Sequence, residues 1–275
     1  MAAAPRLSVL QPHLDRLVAR YETPAFIEND PISIPHRFDD PRDREVIGLY
    51  AATLAWGRRS VILSKLSELC DRMDDRPYAF VRNFDASRDA SRLEGFVHRT
   101  FQPIDALWFT RALSKALDTY ESIEHIFADH LPPAATHVGP AIQGFSETML
   151  SICPDAPERL RKHLARPDAR SACKRLNMYL RWMVRPGPVD FGDWSAIHPD
   201  QLLLPLDTHA GSQARTLGLT TRKSTDWEAV REVTNACRQM APADPARYDF
   251  ALFGAGVSES DESLEDLAAR AETVD

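Results

Sequence analysis

Ala172-Cys173-Lys174-Arg175-Leu176-Asn177-Met178-Tyr179-Leu180-Arg181-Trp182 and, after a Pro/Gly-rich crossing, Leu204-Pro205-Leu206-Asp207-Thr208-His209 are the stretches that decide how this chain reads. Leu176, Tyr179, Leu180 and Met183 fall on one face at helical spacing, which predicts a helix from about Ser171 to Val184. Lys174, Asn177 and Arg181, at i, i+3 and i+7, share a polar stripe on it. Asp207 follows Pro205 and precedes a second helical stripe through Ala214 and Leu217 to Gly218, so it is predicted at or near an N-cap. There the helix dipole and free backbone N–H groups favour an ionised carboxylate.

Outward from this stretch, every long periodic segment has helical spacing and none alternates as a strand, which predicts an all-α fold. One stripe comprises Leu10, Leu14, Leu17, Val18 and Tyr21. A helix is predicted from Asp43 to a break near Gly57, and another, capped by Ser60, carries Ile62, Leu66, Leu69 and Met73. Asp85–Ser91 reads as an exposed turn. Helices follow around Leu107–Tyr120 and Ile123–Phe127, ending at Pro132-Pro133, then around Ile142–Met149 and around Leu160 and Leu164. Thr225-Asp226-Trp227-Glu228 has the capping-box pattern. Asp244-Pro245 predicts a further start, with Gly254 as the stop.

The totals narrow the function classes. At 275 residues and 44% hydrophobic content the chain can bury a sizeable core. Its four cysteines, Cys70, Cys153, Cys173 and Cys237, are separated by 83, 20 and 64 positions, matching neither a disulfide framework nor a metal or iron–sulfur set. No metal or other cofactor is expected. No signal-peptide h-region or apolar run near membrane-spanning length stands out, so a cytoplasmic protein without a membrane partner is expected. The net charge of −7 is uneven: residues 257–275 hold seven acids against Arg270, whereas Arg159–Arg185 holds nine Lys/Arg against Asp168. Such a basic block is the footprint of phosphate docking, or else a solvated helical face.

The chemistry of the central pair is specific. A lysine can act as an amine nucleophile where burial or neighbouring positive charge favours its neutral form, and Arg170, Arg175 and Arg181 are at hand. A fixed carboxylate stabilises a cationic sugar centre as a glycosidic bond breaks. The plain counterparts are a surface lysine and a helix cap.

Lys174 on a helix, followed 33 positions later by Asp207 in Leu-Pro-Leu-Asp-Thr-His, resembles the helix-hairpin-helix/Gly-Pro-Asp superfamily of DNA repair glycosylases. The long Lys-to-Asp gap is similar to that of the archaeal 8-oxoguanine glycosylases. Ala52–Arg59, His98–Phe101, Lys174–Arg185 and Tyr248–Gly254 resemble an uncharacterised bacterial family, a domain of unknown function of the DUF2400 type, attached to that superfamily. The resemblance implies a helix-hairpin-helix glycosylase-like fold with a cleft between two interleaved subdomains. These would be residues 41–158, and 1–40 plus 159–256, with an acidic tail at 257–275. It implies a base-excision glycosylase with abasic-site lyase activity, removing a damaged base such as an oxidised purine from DNA. The alternative is a monofunctional or catalytically silent DNA-binding protein of the same fold.

In the enzymatic case Lys174 would form a Schiff base at C1′ and Asp207 would stabilise the sugar. Arg170, Arg175, Arg181 and Arg58 would hold DNA phosphates. Trp56, Trp182, Phe250 and Phe253 are candidates for the base pocket, with Asn177 and His209 in support. The protein would act as a monomer. One departure stands out: the repair enzymes carry glycines four and two residues before the lysine, where this chain has Arg170 and Ala172.

Overall fold

The computed structural model describes the backbone of residues 7–257 and the side chains through residue 254; the acidic tail from 258 onward lies outside the described residues. The described chain is all helical, with one isolated bridge, His98 to Phe101, in place of any strand. Helix α1 (Leu7–Tyr21) buries Leu10, Leu14, Leu17 and Val18, the stripe its spacing predicts. Three 3₁₀ turns between Pro24 and Arg37 lead to α2 (Pro41–Thr53). This helix starts at Pro41, because Asp40 caps it by accepting the Arg42 amide at 2.9 Å and proline is at home in the first turn. From Glu45 to Thr53 every residue of α2 is buried, as befits a helix surrounded by others.

Four short or mid-length helices follow: α3 (Arg59–Arg72), α4 (Pro77–Arg82), α5 (Ala86–Leu93) and α6 (Pro103–Thr119). Gly57, at φ +111°, turns the chain so that Arg58 becomes the N-cap of α3, and Ser60 is already inside the helix. The segment read as a turn, Asp85–Ser91, is mostly α5. Asp85 caps it by accepting the Ser87 amide at 2.8 Å, and Leu93 anchors it in the core. A lone apolar anchor at its far end gave no period to detect.

After α7 (Ile123–Ala128) and α8 (Gly139–Ser151), the segment around Leu160 is only a 3₁₀ turn, Glu158–Lys162. Helix α9 (Lys174–Val184) begins three residues later than its periodicity suggests, since Cys173 at φ +47° cannot continue a right-handed helix. Leu202, Leu203, Leu204 and Leu206 then cross the core as a non-helical strap that delivers Asp207 to the start of α10 (Thr208–Thr216). In α11 (Trp227–Met240) the cap is Asp226, not Thr225: its carboxylate accepts the Ala229 amide at 3.0 Å. The last helix, α12 (Tyr248–Val257), follows a 3₁₀ turn at Pro245–Arg247 and runs past Gly254.

Helix α1 packs on α12 and α11, so the two ends of the described chain close on each other, while α9 packs on α2. One contiguous apolar cluster runs through all of them. Among the described residues no helix is long and apolar enough to cross a membrane.

Candidate functional site

The strap and the left-handed entry to α9 bring Lys174 and Asp207 together. Lys174 Nζ lies 3.8 Å from Asp207 Oδ2, and both side chains remain partly open to solvent, at 31% and 43%. Asp207 caps α10 as its sequence predicts, accepting the Ala210 amide at 2.9 Å through Oδ1. Its other oxygen is thereby left to the lysine. So open an ion pair contributes only about 0–1 kcal/mol to stability, and it is the buried leucine strap, not the pair, that brings the two segments together.

Both residues line a cavity of about 400 Å³. Its apolar wall is aromatic: Phe26 meets Phe250 and Phe253 edge-on, with centroids 5.1 and 5.2 Å apart. Its polar lining adds Asp30, Arg59, Arg181, His209, Gln213 and Asp249. The Arg59 guanidinium sits 5.2 Å over the Phe253 ring. Burial pushes the Asp249 carboxyl up to about 6, against the pull of the Arg181 and Lys174 charges. Asp30, which accepts the Ile32 amide at 3.1 Å, is also raised by burial. A cavity of this size, apolar with a few convergent polar groups, suits a flat heterocycle. Cys173, next to the lysine, is buried and its thiol is pushed up to about 12, so it is no competing nucleophile at neutral pH.

The other sequence-predicted residues divide. Phe250, Phe253 and His209 line the cavity. Arg181 lines it too, but as a buried residue rather than a phosphate-facing one. It pairs with Asp249 and, at 3.2 Å, with Asp190, and it lies 4.4 Å over the Phe250 ring. Burial works against its charge, and the two carboxylates outweigh that and hold it above the ordinary arginine range. Arg175 donates to the Thr53 carbonyl at 2.5 Å and the Lys162 carbonyl at 3.3 Å, tying the start of α9 to the end of α2. It covers the Trp56 ring at 4.9 Å, and Trp56 stands outside the cavity lining.

Trp182 is fully buried in the core, off the cavity lining, and its indole N–H has no partner among the described residues. Asn177 is buried and donates to the Ala172 carbonyl at 3.1 Å. Arg58 and Arg170 are exposed and off the lining; it is Arg59 that reaches the cavity.

Sequence reasoning misses Asp30 and Asp249 as site residues, while Arg59 is legible only as part of the Arg58-Arg59 pair at the helix break after Gly57. Asp249 and Arg59 lie inside the Tyr248–Gly254 and Ala52–Arg59 segments that carry the family resemblance, whereas Asp30 has no such signal. Among the described residues no group of His, Cys, Asp and Glu could hold a metal ion.

Residues 30–258 match the family described as protein of unknown function (DUF2400). The chain belongs to this family. No curated protein and no solved structure matches it. The DUF2400 match takes in every lining residue except Phe26, so the cavity lies within the family's own span.

Proposed function

We propose that this DUF2400 protein is a DNA base-excision glycosylase with abasic-site lyase activity, acting as a monomer through the Lys174 amine and the Asp207 carboxylate. The observation that carries the reading is the placement of those two groups 3.8 Å apart at the wall of an aromatic cavity. An enzyme acting at C1′ needs a nucleophile, a stabiliser of the cationic sugar and a room for the extruded base, and these three are adjacent here. Lys174 Nζ forms its bond to C1′ as the base leaves with the glycosidic electron pair and takes up a proton. The nitrogen lone pair then breaks the C1′–O4′ bond, O4′ taking the proton that the nitrogen sheds, and the resulting iminium loses a C2′ proton and expels the 3′ phosphate with the C3′–O3′ electron pair.

The hairpin supports the same reading. Arg170, where the repair enzymes that this chain resembles carry a glycine, has φ +57°, a conformation that glycine adopts without cost. A positive φ at this position is what a glycine of such a hairpin would adopt. The helix-hairpin-helix architecture and its two-subdomain division belong to this proposal as well. The cavity then lies where residues 1–40 and 159–256 meet Arg59, the lining residue from 41–158.

Borohydride trapping tests the reading with full-length protein on duplex DNA carrying an abasic site or 8-oxoguanine. The expected result is a covalent adduct with the wild type that is absent with Lys174→Ala. Base release without an adduct would assign the chemistry to water activated by Asp207. Neither product on a panel of lesions would overturn the enzymatic reading.

A further inference from the structure

Away from the cavity, three chain segments far apart in sequence meet around Trp56. The Arg159 guanidinium donates to the Thr100 carbonyl at 3.3 Å, and His98 shares a 3.0 Å hydrogen bond with the Trp56 carbonyl. The Trp56 ring stacks on His163 at 6.1 Å, and Arg175 bonds the Lys162 carbonyl over the same ring. Gly57 lies against the Arg99 side chain: a Cβ there would be 3.1 Å from it. Residues 56–59, 98–102 and 158–163 therefore form one surface, and it is basic.

Arg159 is spent on the buried Asp105, which it grips through two bonds of 2.7 and 2.8 Å. Arg58, Arg59, Arg99, Arg161 and Lys162 are exposed, and among the described residues no carboxylate pairs with them. Glu158 is the lone acid of these segments. In a chain of net charge −7, Arg58, Arg99, Arg161 and Lys162 are a local excess of the opposite sign, while Arg59 shares its field with Asp30 at the cavity. Like charges so close repel one another unless an outside anion joins them.

A second observation singles out Arg99. It holds φ +54° at the turn between His98 and Phe101, a conformation that is costly for a residue with a side chain and free for glycine. The His98–Phe101 backbone bonds hold this turn, and strained positions of this kind cluster at functional sites.

We propose that Arg58, Arg99, Arg161 and Lys162 form a track for the phosphodiester backbone of a DNA strand, leading at Arg59 to the cavity that takes one of its nucleotides. The proposal rests on the glycosylase reading for the identity of the strand, and on charge and geometry for the track itself. It moves phosphate binding away from Arg175 and Arg181, whose donors are committed inside the protein. It gives the strand a path of separate point charges over a tryptophan, suited to backbone contact without sequence readout.

The test is DNA affinity of the full-length protein, by fluorescence anisotropy, on a duplex with a stable abasic analogue between 50 and 200 mM salt. For the double variant Arg99→Gly, Lys162→Ala, affinity should drop roughly tenfold and the log–log salt slope should become shallower by about 1.8, two contacts' worth. Its melting temperature should hold or rise, because glycine relieves the turn, so a folding defect cannot mimic the result. An unchanged slope would overturn the track, as would tighter binding to RNA of the same sequence. A reduced slope in a protein that shows neither base release nor adduct would support the track while overturning the enzymatic reading beneath it.

Discussion

Helix α9 carries cations at both ends, and the two ends treat them in opposite ways. At its start Lys174 meets Asp207 at 3.8 Å with both side chains partly in solvent. Two turns on, Arg181 and Arg185 are buried and share Asp190, which is itself fully buried, at 3.2 and 2.6 Å. Asp249 completes the Arg181 set, while Asp244 and Glu22 complete that of Arg185 at 2.9 and 2.7 Å. A buried cation must have such partners, since an unpaired charge in the interior is far costlier than the pair. An open lysine has no such need. The contrast separates cations paired inside the fold from one left partly open at the cavity, and Asp249 touches both groups, because it neutralises Arg181 and lines the cavity.

The strongest way to break this contrast is at Lys174. If its openness is for chemistry, Lys174→Ala should lower base release or strand cleavage by about 10³-fold or more, while its urea midpoint shifts by less than about 1 kcal/mol of stability. A large stability loss with full activity would place Lys174 in the structural class instead.

Asp190→Ala should give the reverse. It leaves Arg181 and Arg185 short of their shared carboxylate, and the expected loss is about 3–5 kcal/mol in a denaturant titration. A loss below about 1 kcal/mol would show that the arginines re-pair with Asp249, Asp244 and Glu22, and that the network is looser than its geometry.

These two ends also show what sequence could convey. The Lys174–Asp207 site was legible because each residue has a local signature: a helical stripe for the lysine, a cap for the aspartate, and a spacing that resembles a known family. The fate of Arg181 and Arg185 was not. The basic block was counted from Arg159 to Arg185, five residues short of Asp190, and Asp249, Asp244 and Glu22 are supplied by tertiary folding. Asp30 and Arg59 reach the cavity in the same way, across more than a hundred residues from Lys174. The long periodic helices are readable, whereas short ones without a full apolar stripe, Pro77–Arg82 and Ala86–Leu93, are not, and starts fail where a left-handed residue, as at Cys173, resets the chain. Local patterns encode elements and caps; the pairing of charges is a property of the packed whole.

Asp249, the shared residue, sharpens the comparison through pH. Its folded pKa of about 6 lies above the unfolded value of 3.8, so between about pH 4 and 6 the folded state holds more protons than the unfolded one. Stability from this group is fully present below pH 4 and is lost as pH rises through 6, by on the order of 2–3 kcal/mol. Asp249→Asn cannot titrate. As a mimic of the protonated carboxyl it should leave stability unchanged near pH 4 and raise it near pH 7, so this part of the slope of unfolding free energy against pH should vanish. An unchanged slope would mean that Arg181 holds the carboxylate ionised and that Asp249 belongs wholly to the structural network.

The smallest effect tests the hairpin that leads into the lysine. Arg170 at φ +57° occupies a backbone state that costs a side-chain-bearing residue about 1–2 kcal/mol relative to the right-handed helix region. Glycine avoids that cost but makes the unfolded chain more flexible, by about 0.4–1 kcal/mol. Arg170→Gly should therefore raise stability, by no more than about 1 kcal/mol, which is about 2 °C in melting temperature for a chain of this size. Ala172→Gly, two residues on and without positive φ, has only the flexibility penalty and should lower stability by a similar amount. Opposite signs at two neighbouring positions would show that Arg170 is kept at a cost to folding, as expected of a residue retained for a phosphate. If both substitutions destabilise, the arginine side chain is holding the turn together, and Arg170 joins Arg181 and Arg185 among the cations that serve the fold.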